Sequence, residues 1–174
     1  MRMTSSVSIV ALAIASLVAG GTLLAQQNAA AEKDLRETII QFGTAYGNND
    51  LDKYFSYMDD NFDAWWGNRG RNENPTPKAQ YMATWPNNVK QTGGYTGCKL
   101  NDLRVQVGPS GDAGVGSYIL ECIRKNPPAG QQPPISYEMS VVMFKKANGW
   151  KVVHWNWKSL PFPTAAPAAN TTRQ

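Results

Sequence analysis

Apolar residues in the first quarter of the chain recur with the spacing of an α-helix. Four of them lie at i, i+4, i+7 and i+11, so they share one helix face, while charged residues occupy the opposite face. They are Leu35, Ile39, Phe42 and Tyr46. The pattern predicts a helix over 29–46, which Gly47 and the two asparagines after it end.

Two short elements are predicted next. Asp50 is placed to cap a second helix over 51–58, because its carboxylate can accept from the first free backbone N–H groups. Residues 61–67 alternate as a strand does. Phe62, Ala64 and Trp66 fall on one side of it, and Asp63 and Trp65 fall on the other.

A third helix is expected to begin at Thr76 and Pro77. Threonine is a favoured N-cap, and proline is tolerated in the first turn of a helix. We expect this helix to end near Trp85, because Pro86 lacks the N–H that would continue it.

The second half of the sequence is typical of β-structure. It predicts four strands, over 95–107, 115–125, 135–146 and 150–160, with no parallel crossover between them. Helices gathered at one end of an antiparallel sheet define the α+β class.

The last hairpin decides which residues share a face. A three-residue loop, 147–149, pairs Lys146 with Trp150, whereas a two-residue loop would exchange the cross-strand partners. With the longer loop, one face carries Met139, Val141, Met143, Val153, Trp155 and Trp157. The other carries Glu138, Ser140, Val142, Phe144, Val152, His154, Asn156 and Lys158.

Both faces of this hairpin need cover, and three helices can cover only one. We expect the helices to cover the face of His154 and Asn156, because covered polar groups need hydrogen bonds or a solvated cavity. The apolar face with Trp155 and Trp157 would then form a homodimer interface. The alternative for His154 is a hydrogen-bonded structural residue without a ligand.

The N-terminal segment has the features of a secretory signal peptide. A basic start is followed by uncharged, apolar or small residues over 7–25. Cleavage is expected after Ala25, with 29–31 as a second possible site and an uncleaved membrane anchor as the alternative. The mature protein would be periplasmic or secreted. The Pro/Ala-rich tail, 161–174, is expected to be disordered.

The two cysteines fit that destination. A turn centred on Ser110 places Cys98 opposite Cys122, with β-carbons about 4.5–5.5 Å apart. In an oxidising compartment a disulfide is expected, and a free buried pair is the alternative. Two thiols and one histidine do not make an ordinary zinc site, so no metal or other cofactor is expected. The 17 Lys and Arg against 13 Asp and Glu are scattered, which argues against nucleic-acid binding.

Four stretches resemble the nuclear transport factor 2-like superfamily, in its exported SnoaL-like and ketosteroid-isomerase-like branch. They are 49–54 (NDLDKY), 70–85 (which begins with Gly70-Arg71 and ends with KAQYMATW), 137–146, and 148–154 (NGWKVVH). The resemblance gives a domain over 29–160. It implies a cone-shaped, strongly curved antiparallel sheet wrapped around the three helices, with a pocket at the wide end and dimers through the outer sheet face.

The resemblance does not select a reaction, because related domains isomerise, cyclise, dehydrate or only bind. We expect binding of a small, largely apolar molecule in an aromatic-lined pocket. The expected pocket residues are Tyr46, Tyr54, Trp65, Trp85, Glu138, Ser140 and Asn156. One alternative is a cofactor-free isomerase, dehydratase or cyclase with His154 or Asp63 as general base. The other is a dimeric assembly module.

Overall fold

Three helices and six strands make up the described part of the protein. The computed structural model describes residues 7–67, 74–127, 129 and 134–160, with only the helical backbone given for 7–25. In chain order the elements are α1 Val7–Gly47, α2 Leu51–Ser56, β1 Met58–Trp66, β2 Thr76–Pro77, α3 Lys78–Thr92, β3 Tyr95–Val107, β4 Ala113–Arg124, β5 Ile135–Lys146 and β6 Gly149–Ser159.

The described structure begins inside the predicted signal peptide and ends before the predicted tail. Residues 7–25 of the predicted signal peptide are helical and continuous with α1, so α1 begins earlier than the pattern indicated. The predicted tail, 161–174, lies outside the described residues. Within the described residues no helix is both long and apolar enough to cross a membrane.

Helix α1 packs its predicted face into the domain core. Leu35, Ile39 and Phe42 are fully buried, and Tyr46 is partly buried against them. At the end of the helix the approach to β3 is close. A β-carbon on Gly47 would lie 2.6 Å from the backbone nitrogen of Cys98, so only glycine fits there.

The six strands form one sheet in the order β2-β1-β6-β5-β4-β3. The α+β class is confirmed, but the sheet is mixed, since β1 runs parallel to β6 and the other pairs are antiparallel. The expectation of a purely antiparallel sheet was wrong on this pair. The two strands are far apart in sequence, so no local crossover pattern announces their pairing.

Helix α3 differs most from its sequence-based prediction. Thr76 lies in β2 rather than capping the helix, and it pairs with Ala64 of β1. Pro86 lies inside α3, which continues to Thr92 and ends where Gly93 adopts a left-handed backbone, φ 69°. Proline removes one hydrogen bond from the helix, and the helix nevertheless continues through it.

The β3–β4 hairpin pairs as predicted at the cysteines. Cys98 lies opposite Cys122, and the two form a disulfide with their α-carbons 4.1 Å apart. The register shifts by one residue between Asn101 and Arg104, where Asp102 has a φ of 54°.

The β5–β6 hairpin combines a two-residue turn with a register shift. Lys146 pairs with Gly149, whose φ of 99° suits glycine, so the predicted three-residue loop was wrong. The register then shifts beside Val153, and from there Val142 pairs with His154 as the longer loop required. A one-residue bulge therefore restores the predicted partners along most of β6.

The two faces of the sheet are occupied in the reverse of the predicted way. The helices cover the apolar face, where Met139, Val141 and Trp155 are buried. Asn156 is exposed and His154 is half-exposed on the outer face. Burying the tryptophan-rich face removes far more apolar area from water than burying the polar one, so hydrophobicity decides the orientation. Trp155 and Trp157 therefore lie on the covered face, and their predicted placement on an uncovered outer face was wrong.

Candidate functional site

A cavity of about 410 Å³ lies between the helices and the inner face of the sheet. Eleven of its lining residues are aromatic, and they come from all three helices and five of the strands. They are Phe42, Tyr46, Tyr54, Trp66, Tyr81, Trp85, Tyr95, Tyr118, Tyr137, Trp155 and Trp157. Both the volume and the composition are those of a small-molecule site.

The aromatic walls form a connected set of ring contacts. Tyr46 packs against Tyr54, Trp85 and Tyr95 with ring centroids 5.0–5.4 Å apart. On the other side Trp157 meets Tyr137 edge to face at 5.0 Å. Such contacts fix ring positions and thus give the cavity a defined shape.

Six of the chain's seven tyrosines line the cavity, and four of them pair through their hydroxyl groups. The Tyr46 and Tyr95 oxygens are 2.8 Å apart, and those of Tyr54 and Tyr81 are 3.0 Å apart. Buried hydroxyls are thus satisfied by one another inside an otherwise apolar wall.

Burial controls the ionisation of these tyrosines. Desolvation raises the pKa of Tyr46, Tyr54, Tyr81 and Tyr118, and neighbouring tyrosines raise it further at the first two. Neutral phenols result at ordinary pH, so these side chains act as hydrogen-bond donors and acceptors and not as bases.

One positive charge reaches the same wall. Burial and then Tyr95 raise the pKa of Tyr137, while the adjacent Arg124 guanidinium lowers it by its charge and its hydrogen bond. These contacts connect Arg124, Tyr137, Tyr95 and Tyr46 in series. Because a guanidinium can only donate, Tyr137 accepts from Arg124, whereas in the Tyr46–Tyr95 pair either hydroxyl can be the donor.

Three indole N–H groups of the lining residues are buried. The Nε1 atoms of Trp85, Trp155 and Trp157 have no hydrogen-bond partner among the described residues. An unpaired buried donor costs free energy, and ligand sites are where such donors are commonly found.

The extra length of α3 supplies polar groups to the cavity. Asn87, Asn88 and Gln91 all lie beyond Pro86, and together with Thr84 they complete the lining on this side. The sequence-based prediction ended the helix before these residues and so did not include them.

The described lining residues include no aspartate, glutamate or histidine. In the described ranges there is also no group of three or more His, Cys, Asp or Glu side chains that could hold a metal ion. The chemistry available to a bound molecule is therefore ring contact, hydrogen bonding and one guanidinium charge.

The structure brings some of the predicted pocket residues together and separates others. Tyr46, Tyr54 and Trp85 lie on the cavity wall. The remaining four do not line it, because their strand positions point to the outer face. They are Trp65, Glu138, Ser140 and Asn156.

Asp63 and His154, the two predicted bases, are adjacent on that outer face. They are cross-strand neighbours in the parallel β1–β6 pair, and the carboxylate oxygen of Asp63 is hydrogen-bonded to Nδ1 of His154. A carboxylate accepts, so Nδ1 donates. Neither residue lines the aromatic cavity, which lies on the other side of the sheet.

Sequence reasoning missed several cavity residues, including Tyr118, Arg124 and Tyr137. Tyr118 lies opposite Met139, and Met139 lies opposite Trp157, so all three share the inner face. The cross-strand pattern could have extended the predicted apolar face to Tyr118. The long β4–β5 connection leaves that register open in the sequence alone.

The fold and the cavity together define a class: an α+β domain whose curved, unclosed sheet is covered by helices around an aromatic pocket. The chain belongs to the SnoaL-like domain family, whose sequence profile matches residues 35–163. No curated protein matches the chain.

Solved structures with the nuclear transport factor 2-like, or cystatin-like, fold are similar. An NTF2-like protein of unknown function from Pseudomonas putida KT2440 is 19% identical, with 79% of this chain and 98% of that one covered and a TM-score of 0.61. A ketosteroid isomerase-like protein from Erwinia carotovora atroseptica SCRI1043 is 16% identical, with 75% and 96% covered and a TM-score of 0.58.

A third structure, Bd1075 of Bdellovibrio bacteriovorus, is 13% identical with a TM-score of 0.58. The alignment covers 75% of this chain but only 41% of Bd1075. At these identities the similarity establishes the fold and not a shared activity.

Proposed function

We propose that the chain binds a small, largely apolar, ring-containing molecule in the aromatic cavity. The observation that carries this proposal is the cavity itself, about 410 Å³ with eleven aromatic lining residues. Ring faces offer a large contact area, and the few polar groups orient the ligand. Nothing in this mode of binding requires chemistry.

The absence of an acid–base group from the described lining favours binding over isomerisation. Proton transfer at carbon needs a base within hydrogen-bond reach of the substrate. The buried tyrosines stay neutral, and the Asp63–His154 pair lies on the opposite face of the sheet. Among the described lining residues, no side chain is placed to act as that base.

Blocking the cavity tests the proposal. In Thr84→Trp a large side chain replaces a cavity-lining residue of α3, and Ala83→Trp places the same side chain on the exposed, non-lining neighbour. With 2-naphthamide as probe, we expect titration calorimetry to show binding by the native protein and by Ala83→Trp, and none by Thr84→Trp. Equal binding by both variants would place the probe elsewhere.

We also propose that the outer sheet face forms a homodimer. Large apolar side chains are exposed there, each with more than a third of its surface accessible: Trp65, Val115 and Phe144. This surface replaces the one predicted from Trp155 and Trp157. Apolar side chains set among polar ones are typical of a face that pairs with a second copy.

Export to the periplasm or beyond the cell is a further proposal. It is supported by the uncharged apolar segment 7–25 and by the Cys98–Cys122 disulfide, which persists in oxidising compartments. Cell fractionation followed by mass measurement of the N-terminus tests both the location and the cleavage after Ala25.

A further inference from the structure

We propose that the cavity selects a ring-bearing carboxylate and that Arg124 binds its carboxylate group. The inference deepens the proposed function and rests on it, because it names the chemical class of the molecule that enters the cavity.

The charge of the cavity lining favours an anionic ligand. Arg124 is the one charged side chain among the described lining residues, so no described carboxylate lines the cavity to favour a cationic ligand. A charge beside a cavity with apolar walls interacts strongly with an opposite charge, because little water screens the pair. An anion therefore gains free energy that a neutral or cationic ring compound of the same shape does not.

The shape of the guanidinium group suits a carboxylate. It carries five N–H donors in a planar fork, so it can keep its contact with Tyr137 and still meet two oxygens of a planar carboxylate. The ring of Tyr137, which contacts Arg124, packs edge to face against Trp157 at 5.0 Å. A ring attached to the carboxylate would lie against these two side chains.

The hydrogen-bonding groups of the cavity lining also favour a ligand with acceptor oxygens. Two kinds of lining group can only donate: the guanidinium of Arg124, and the indole N–H groups of Trp85, Trp155 and Trp157, which have no partner among the described residues. A ligand rich in acceptor oxygens satisfies such a wall, whereas one rich in donors leaves it unpaired. Charge and hydrogen bonding thus favour the same ligand class.

Three probes with one ring system separate charge from ring contact. They are 2-naphthoate, its neutral analogue 2-naphthamide, and the cationic 2-naphthylmethylammonium, each titrated into the full protein by calorimetry. We expect 2-naphthoate to bind about 10- to 100-fold more tightly than 2-naphthamide, the ratio for a hydrogen bond to a charged group. The cation should bind most weakly.

Three arginine variants assign the effect. In Arg124→Gln the ratio of naphthoate to naphthamide affinity should fall to about one. In Arg104→Gln, which removes the same charge from an exposed position outside the cavity, the ratio should stay at the native value. Arg124→Lys keeps the charge without the fork and should give an intermediate ratio.

The outcomes separate the inference from the proposed function. If both neutral and anionic probes bind with equal affinity, or if the ratio survives in Arg124→Gln, the inference is overturned and cavity binding stands. If no probe binds the native protein, both fall. If Arg124→Gln does not fold, two other measurements test the assignment. They are the ratio of naphthoate to naphthamide affinity in the native protein at rising salt, and the same ratio in Arg124→Lys. A ratio that neither salt nor lysine reduces overturns the assignment to Arg124.

Discussion

Single tyrosine side chains around the cavity contribute in two ways, through their ionisation and through the hydroxyl pairs that they form. Their ionisation determines how the stability of the protein responds to alkaline pH. The pKa values of Tyr46, Tyr54, Tyr81, Tyr118 and Tyr137 are all raised, with desolvation as the largest cause.

The raised pKa values predict the sign of the pH dependence. Below pH about 10 these tyrosines are neutral in both states, and their contribution to the free energy of unfolding is fully present. Above that pH the unfolded chain ionises first, so stability should fall by about 1.4 kcal/mol per pH unit for each such tyrosine. Tyrosinate absorbance should therefore rise in one cooperative step with unfolding. Gradual ionisation of the intact fold at ordinary pKa values would contradict this.

The Tyr54–Tyr81 hydroxyl pair predicts a non-additive pair of substitutions. Tyr81→Phe leaves the buried Tyr54 hydroxyl without the partner it has at 3.0 Å, and should cost about 1–3 kcal/mol of unfolding free energy. Adding Tyr54→Phe removes the stranded hydroxyl, so the double variant should cost less than the two single ones together. Denaturant unfolding of all four proteins measures this. Strict additivity would mean that the hydroxyls do not interact.

At the scale of elements, Pro86 sits in the exposed surface of α3 and interrupts its hydrogen bonding. Pro86→Ala should raise the free energy of unfolding by about 1–2 kcal/mol, since helix propensity improves by more than the unfolded chain gains in entropy. The opposite change at the neighbouring exposed position, Ala83→Pro, should cost about 3 kcal/mol. Denaturant unfolding tests both, and a lower stability in Pro86→Ala would contradict it.

The local patterns were sufficient for most elements and insufficient where one residue changes the register. The helical face of α1 and the alternation of β1 followed directly from the spacing of apolar residues. In β6 the extra residue at Val153 cannot be recognised from composition. It nevertheless changes which alternate residues of the strand face the core before and after it. The continuation of α3 through Pro86 depends on packing against the sheet, which a local rule does not include.

At the scale of the whole molecule, the outer sheet face predicts the oligomeric state. Val115→Lys, on the exposed outer face, should convert a dimer to a monomer, because burying the lysine charge against a second copy carries a desolvation cost. Ile40→Lys places the same charge at a similarly exposed apolar position on α1 and should leave the mass unchanged. Light scattering of both variants decides. A dimer that persists in Val115→Lys would exclude this face.

The candidate site was only partly predictable because it is assembled from the whole chain. Tyr46 and Trp85 were recognisable as wall residues from helical spacing alone. The contribution of Arg124 depends on how β4 registers with β5 across a connection whose length sets no register. The assignment of His154 to the pocket gave a polar side chain precedence over two tryptophans, and burial energy favours the tryptophans.

The parallel contact between β1 and β6 joins an early strand of the domain to its last one. Until β6 is synthesised, β1 with β2 and the β3–β5 unit are two pieces of sheet that no described strand pairing joins. Pairing of the two pieces therefore waits for β6 to leave the ribosome, and it depends on contacts of very large sequence separation, which slow folding. Under the export proposed above, this delay favours passage of the unfolded chain through a translocation channel.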